Sequence, residues 1–70
     1  MSGTRDHLVY MANQIARNLA TEPDAVKATA EHIRAFWDPR MKAELLANGD
    51  GLSPVAAAAF DQLRLSATSA

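Results

Sequence analysis

The sequence predicts an all-α fold, a compact bundle of three to four short helices. Apolar residues recur every three or four positions in several separate segments, which is the spacing of one helix face. Two segments begin with a capping residue followed by proline, Asp38-Pro39 and Ser53-Pro54, and this pair is typical of a helix start. No segment shows the alternation of apolar and polar residues that predicts a strand.

The size and composition of the chain limit the core that such a bundle can form. A chain of 70 residues is one domain, and a domain this small is only marginally stable. Hydrophobic residues make up 49% of the chain but aromatic residues only 6%, and many of the apolar residues are alanines, which fill little volume. We therefore expect residues 1–70 to form a single domain with a thin core that gains stability from a partner. About residues 1–4 and 66–70 are expected to be flexible.

The first helix is predicted over about residues 5–20, with Ser2 or Thr4 as its N-cap. Its apolar stripe follows spacings of 3, 4 and 4 residues and comprises Leu8, Met11, Ile15 and Leu19. Ala12 and Ala16 flank this stripe, so the helix is predicted to be amphipathic.

Thr21 is the predicted N-cap of the second helix, which runs to about Trp37. Pro23 lies in the first turn, where proline is tolerated. The apolar stripe of this helix, with spacings of 4, 3 and 4 residues, comprises Val26, Ala30, Ile33 and Trp37. Thr29 is predicted to lie at the edge of the stripe.

The third and fourth helices are each predicted to begin with a capping residue followed by proline. Asp38 caps the third helix, over about residues 39–48, and Ser53 caps the fourth, over about residues 54–65. The intervening "NGDG" ends the third helix, with one of its glycines available for a positive φ. The predicted inner faces comprise Met41 and Leu45 in the third helix, and Val55, Ala59 and Leu63 in the fourth, with Phe60 at the edge. Four consecutive alanines should let the fourth helix approach a neighbour closely.

Charge and hydropathy argue against nucleic-acid and membrane partners. The net charge is −1 and no basic run exists, so nucleic-acid binding lacks its electrostatic footprint. No apolar run approaches the roughly 20 residues of a membrane span, and the first residues lack the layout of a signal peptide. The expected location is the cytoplasm. The absence of cysteine agrees with a reducing compartment and excludes disulfides and thiolate metal sites.

The sequence offers no convincing catalytic, cofactor-binding or metal-binding set. His7 and His32 lie on different predicted helices without a carboxylate at metal-ligand spacing, so we interpret them as ordinary polar residues rather than zinc ligands. A hydrolytic triad of Ser53, His7 and Asp61 has little support, because Ser53 is explained as a cap and no Gly-x-Ser-x-Gly elbow surrounds it. The glycines of "NGDG" lack the Lys-Ser/Thr that completes a phosphate loop.

The remaining functional candidates are surface residues suited to protein contacts. Aromatic, methionine and arginine side chains are enriched at interface cores. The predicted partner-binding residues are Tyr10, Arg17, Arg34, Phe36, Trp37, Arg40 and Met41. Trp37 is expected mainly to fill the core. Adjacent helical residues point about 100° apart, so either Phe36 or Trp37 should lie at the rim, available to a partner.

Three segments of the chain resemble one known family. They are "YMANQIARNLA", "HIRAFWDPRMK" and "GLSPVAAAAFDQL", and together they span about residues 8–63. In this order they look like the delta subunit of the soluble, cytoplasmic, NAD-dependent molybdenum formate dehydrogenases. The run "FWDPRM" is the most specific of the matching features, and "MANQIA" is the next.

The resemblance implies a non-catalytic small subunit of an enzyme that oxidises formate to carbon dioxide and reduces NAD. The implied complex carries bis-molybdopterin guanine dinucleotide molybdenum, iron–sulfur clusters and FMN, none of them expected on this chain. The implied partners are the larger subunits, above all the molybdenum-bearing alpha subunit, and the implied role is to stabilise the assembly or to assist cofactor insertion or retention. The alternative from the residues alone is a free-standing helical adaptor or regulator that binds a peptide or nucleic acid.

Overall fold

Four helices make up the bundle in the computed structural model, which describes residues 3–68 and the side chains of residues 3–65. They are α1 (Gly3–Asn18), α2 (Ala25–Phe36), α3 (Pro39–Ala47) and α4 (Pro54–Thr68). No strand occurs between residues 3 and 68, and the predicted all-α fold is confirmed. The radius of gyration is 11.1 Å, close to the value of about 11 Å expected for a compact domain of this length.

The predicted capping residues are confirmed for α3 and α4 and are wrong for α2. The Asp38 carboxylate accepts from the Met41 N–H at 2.8 Å, and the Ser53 hydroxyl accepts from the Ala56 N–H at 3.3 Å. The N-cap of α2 is Asp24 rather than Thr21, and its carboxylate accepts from the Lys27 N–H. Asp24 is the N-cap because Pro23 disfavours helical geometry at Glu22, so that α2 begins only after the proline.

The predicted ends of α1 and α4 are each displaced by two or three residues. Since α1 begins at Gly3, Thr4 lies inside the helix and is not its cap, while Ser2 lies outside the described residues. The chain leaves α1 after Asn18 through a tight turn in which the Ala20 N–H bonds to the Arg17 carbonyl. Helix α4 continues to Thr68, three residues beyond its predicted end. The flexibility predicted for the chain ends falls partly on residues 1–2 and 69–70, which lie outside the described part of the chain.

The core lies between α2 and α4, which form the most extensive helix contact, with α1 and α3 packed against them. Its largest fully buried side chains are Phe60, Ile33, Leu45 and Thr29. The ring of Trp37 meets that of Phe60 edge to face at 5.9 Å between centroids, an arrangement that aromatic pairs prefer. The alanine run of α4 permits this close packing, because Ala56 and Ala59 are completely buried.

The predicted stripes of α2 and α4 are mostly buried, with Ala30, Ile33 and Trp37 in α2 and Ala59 and Leu63 in α4. The inner face of α1, by contrast, is rotated from its predicted stripe. The buried residues of α1 are Leu8, Ala12 and Ala16, whereas Met11 and Ile15 are half-buried beside them. Thr29 and Phe60, both predicted at stripe edges, are central to the core. The physical reason in α1 is that small side chains mark where two helix backbones can approach most closely, so the bulkier residues flank the contact.

Two polar side chains of α1 fix the α3–α4 loop. The Asn13 amide donates to the Gly51 carbonyl at 3.0 Å and accepts from the Ser53 N–H at 2.8 Å. The Arg5 guanidinium donates to the carbonyls of Asn48 and Asp50, the latter at 2.7 Å. Gly51 has a φ of 92°, which confirms the predicted need for glycine in this turn.

Helix α3 ends with its carbonyl groups bonded to cationic side chains. The Arg64 guanidinium donates to the Leu46 carbonyl at 2.8 Å while pairing with Asp61 at 2.7 Å. Together with Arg5 on Asn48, it satisfies acceptors that a helix end leaves without internal partners.

Candidate functional site

An apolar groove opens between α1, α2 and the start of α3. It has a volume of about 480 Å³, within the range of about 300–1,000 Å³ that is typical of binding clefts. We call it the α1–α2 groove, and its lining residues are Tyr10, Met11, Gln14, Ile15, His32, Phe36, Trp37 and Met41.

The groove brings together most of the apolar residues that the sequence predicted for a partner surface. Phe36 is 74% exposed and Tyr10 is 62% exposed, whereas Met41 is half-buried. Trp37 is only 5% exposed because it packs on Phe60, so it contributes an edge to the groove floor. The expectation that one of the adjacent aromatic residues lies at the rim is confirmed, and the rim residue is Phe36.

The sequence interpretation missed part of the groove lining. The apolar pattern predicts Met11 and Ile15 only as core residues of α1, and both pack in part against the core. The alanine-centred contact also turns them toward the groove. The sequence predicts His32 to be an ordinary polar residue, yet its ring lies 4.7 Å from that of Phe36 with a tilt of 39°. The four-residue spacing of this pair on one helix was the signal that could have revealed the contact.

The three predicted arginines are exposed and do not line the groove. Arg34 borders a separate depression between α2 and α4. Arg40 lies in the first turn of α3, beside the groove residue Met41. Within the described part of the chain, no hydrogen bond or ion pair holds the guanidinium of Arg17, Arg34 or Arg40. Lys42, by contrast, approaches the Arg34 carbonyl at 3.5 Å and helps to end α2.

A second apolar depression lies on the other side of α1, against the start of α4. We call it the α1–α4 depression, and it also has a volume of about 480 Å³. Arg17, Pro54 and Val55 contribute to its lining, and it shares Tyr10 and Gln14 with the α1–α2 groove. The two apolar hollows therefore border a common ridge on α1.

No three histidine, aspartate or glutamate side chains within the described stretch are grouped so that they could hold a metal ion. The Ser53 hydroxyl is engaged at the start of α4, as a cap is expected to be. Across the same residues, no helix combines the length and apolar character needed to cross a membrane.

Comparison with known families identifies the chain. The family model of the NADH-dependent formate dehydrogenase delta subunit FdsD matches residues 7–60. The chain belongs to the FdsD family. The match runs from α1 into α4 and includes every residue that lines the α1–α2 groove. No curated protein and no solved structure gives a significant match.

Membership of the FdsD family confirms the resemblance drawn from the sequence. The description of the family places it in a formate dehydrogenase that uses NAD, as the delta subunit. The family description therefore implies other subunits of that enzyme as partners of the chain.

Proposed function

We propose that the chain is a non-catalytic accessory subunit that docks on the molybdenum-bearing alpha subunit of a cytoplasmic NAD-dependent formate dehydrogenase. Its role is to stabilise the assembly or to assist insertion or retention of the molybdenum cofactor. The observation that carries the proposal is the exposed apolar α1–α2 groove on a member of a delta-subunit family.

The exposed aromatic residues favour docking over a free-standing role. A large apolar side chain left in water gains about 25 cal/mol for each Å² that a partner covers. Phe36 and Tyr10 expose most of their surface, although their neighbours Trp37 and Leu8 are buried. Exposed apolar side chains that line one groove, rather than lie scattered over the surface, favour a role in protein contacts.

The residue content supports an accessory role beside the redox centres of the enzyme. The chain contains no cysteine, so it has no thiolate to ligate an iron–sulfur cluster. The chain has three glycines, and they do not form a phosphate-binding loop before a helix. The alpha subunit is the proposed docking partner because it holds the cofactor whose insertion requires assistance.

The test is to delete the gene for this chain in a strain that expresses the whole complex. Formate-dependent NAD reduction should fall, and a tagged copy of the chain should restore the activity and co-purify with the larger subunits. Purified complex from both strains is then assayed for molybdenum per alpha subunit and for total yield. A fall in molybdenum at constant yield supports cofactor insertion or retention, whereas a fall in yield at constant molybdenum supports assembly. The proposal is refuted if the tagged chain elutes alone and if deletion of its gene leaves formate-dependent NAD reduction unchanged.

A further inference from the structure

The turn between α3 and α4 contains an asparagine that is followed directly by glycine. The chain has three asparagines, Asn13, Asn18 and Asn48, and only Asn48 precedes a residue without a side chain, Gly49. The backbone nitrogen that follows an asparagine can attack the side-chain amide carbon, because a small unstrained ring results. Exposure, an unhindered nitrogen and a polarised amide carbonyl favour this attack, and Asn48 combines all of these conditions.

The attacking atom at this position, the Gly49 nitrogen, is accessible. Residues 48–51 are all exposed, so water and hydroxide reach the peptide group. Within the described residues, no acceptor takes a hydrogen bond from the Gly49 N–H, and glycine has no Cβ to shield the nitrogen. At Asn18, by contrast, the N–H of the next residue, Leu19, donates to the Ile15 carbonyl at 3.0 Å. The nitrogen after Asn48 is therefore free to lose its proton, whereas the nitrogen after Asn18 is held in a hydrogen bond.

The side-chain amide of Asn48 is held with its carbonyl oxygen between two donors. Its Oδ1 accepts from the Asp50 N–H at 3.1 Å and from Nη2 of Arg5 at 3.2 Å. The bond to Asp50 forms an Asx-turn, which folds the side chain along the Gly49 peptide group rather than out into solvent. The Arg5 guanidinium is fixed in place, because it also donates to the carbonyls of Asn48 and Asp50. Fixed donors on a carbonyl oxygen stabilise the negative charge that develops there during nucleophilic attack.

We propose that Asn48 is a site of spontaneous deamidation, at which the Gly49 nitrogen displaces the side-chain amide while Arg5 stabilises the oxyanion. The Gly49 nitrogen gives its proton to a solvent base and bonds to Cγ of Asn48, and Nδ2 takes up a proton and leaves as ammonia. Water then opens the succinimide ring. Cleavage of the bond from Cγ to the nitrogen gives aspartate, and cleavage of the bond from the backbone carbonyl carbon gives isoaspartate. This inference does not depend on the proposed function.

Both products change the contact that holds the α3–α4 loop on α1. Each adds one negative charge to a chain whose net charge is −1. In the aspartate form, a carboxylate replaces the amide beside the Arg5 guanidinium and forms an ion pair with it. In the isoaspartate form, the main chain is one methylene longer at position 48, so the two carbonyls that Arg5 holds at 2.9 and 2.7 Å do not keep their spacing. Deamidation therefore tightens or loosens this loop, according to which bond of the ring opens.

Peptide mapping of the purified full chain measures the reaction. Trypsin cleaves after lysine and arginine and so places the asparagines in separate peptides, residues 6–17, 18–27 and 43–64. Each peptide is followed by the mass increase that accompanies replacement of NH₂ by OH. On incubation at neutral pH, the peptide with Asn48 should gain this mass at least about tenfold faster than the other two, a difference of about 1.4 kcal/mol in the barrier. Fragmentation should locate the change at residue 48 rather than at Gln62, and the rate should rise with pH.

Two variant pairs test the roles of Gly49 and Arg5. Gly49→Ala should slow the deamidation of Asn48 at least about tenfold, because a Cβ shields the attacking nitrogen, whereas Gly3→Ala, whose Cβ meets no neighbouring atom, should not slow it. Arg5→Gln should slow the reaction about three- to tenfold, which is the value of one hydrogen bond. The matched control Arg17→Gln, on the same helix, should leave the rate unchanged. Circular dichroism of each variant establishes that the helices are retained.

The results decide each part of the inference. The site is refuted if the peptide of residues 43–64 gains mass no faster than the other two peptides, or if fragmentation places the change at Gln62. If Arg5→Gln deamidates as fast as the wild-type chain or faster, the role assigned to Arg5 is wrong. A rate that does not change between mildly acidic and alkaline pH contradicts attack by a nitrogen that has lost its proton. None of these results bears on the proposed function, which is tested separately by co-purification.

Discussion

Replacing two adjacent aromatic residues by alanine should affect two different properties, the stability of the domain in one case and docking in the other. Trp37 is 5% exposed and packs edge to face on Phe60, whereas Phe36 is 74% exposed at the groove rim. Trp37→Ala should therefore reduce the stability of the domain itself. Phe36→Ala should leave the fold intact and act only on docking.

The magnitudes follow from the buried areas. A buried tryptophan removes about 150–250 Å² from water, which at about 25 cal/mol per Å² is about 4–6 kcal/mol as an upper value. Trp→Ala changes in protein cores cost about 3–5 kcal/mol. A domain of this length has a total stability of about 4–10 kcal/mol, so Trp37→Ala removes a large fraction of it. The change for Phe36→Ala should stay within about 0.5 kcal/mol, as for other exposed positions.

The assay is urea unfolding of the purified chain followed by far-UV circular dichroism, which does not depend on the tryptophan that is removed. Trp37→Phe is included because it keeps a ring against Phe60 and should lose only about 1–2 kcal/mol, leaving a measurable transition if Trp37→Ala is unfolded. The reasoning is refuted if Trp37→Ala costs less than about 1 kcal/mol, or if Phe36→Ala costs as much as Trp37→Ala.

Three further substitutions test other parts of the structure. Thr29→Val should raise the free energy of unfolding by about 1 kcal/mol, because the Thr29 hydroxyl is buried without a hydrogen-bond partner; a lower midpoint in a urea titration would contradict this. Asn13→Ala should lower stability by about 1–3 kcal/mol, since it removes the bonds to Gly51 and Ser53, and a thermal melt unchanged from wild type would show that the loop is held by other contacts. Gly51→Ala should lower the free energy of unfolding by about 1–2 kcal/mol, because the φ of Gly51 is 92°. The control Gly3→Ala should be neutral or stabilising, because the added methyl group meets no neighbouring atom. Equal melting temperatures for these two variants would argue against the turn geometry.

The fold was predicted well where local chemistry decides it. The helix starts at Pro39 and Pro54 were correct because a capping side chain and proline act within one turn. The start of α2 was placed too early at Thr21, since several residues before the helix can cap and only the backbone around Pro23 selects Asp24. Periodicity identified all four helices, yet it assigned Thr29 to the edge of a stripe and the structure puts it in the core.

The candidate surface was predicted in part, and the missing part has a specific cause. Phe36, Tyr10 and Met41 were selected by residue type, and they meet in one groove. Met11 and Ile15 were not selected, because a hydrophobic pattern indicates which residues are apolar but not which of them face a neighbouring helix. That orientation depends on Ala12 and Ala16, whose small size sets the closest approach of α1 to the rest of the bundle.

The sequence by itself determined the helices, the caps of α3 and α4, the need for a glycine in the α3–α4 turn and the family of the chain. These features depend on interactions within a few residues or on the order of side chains. Only the tertiary structure decided which side of each helix is buried and that Tyr10 and Phe36 border one groove. It also decided how Asn13 and Arg5 hold a loop that lies 38 to 45 residues further along the chain. The physical reason is that close packing of four helices around alanine contacts fixes their rotation, and no single helix carries that information.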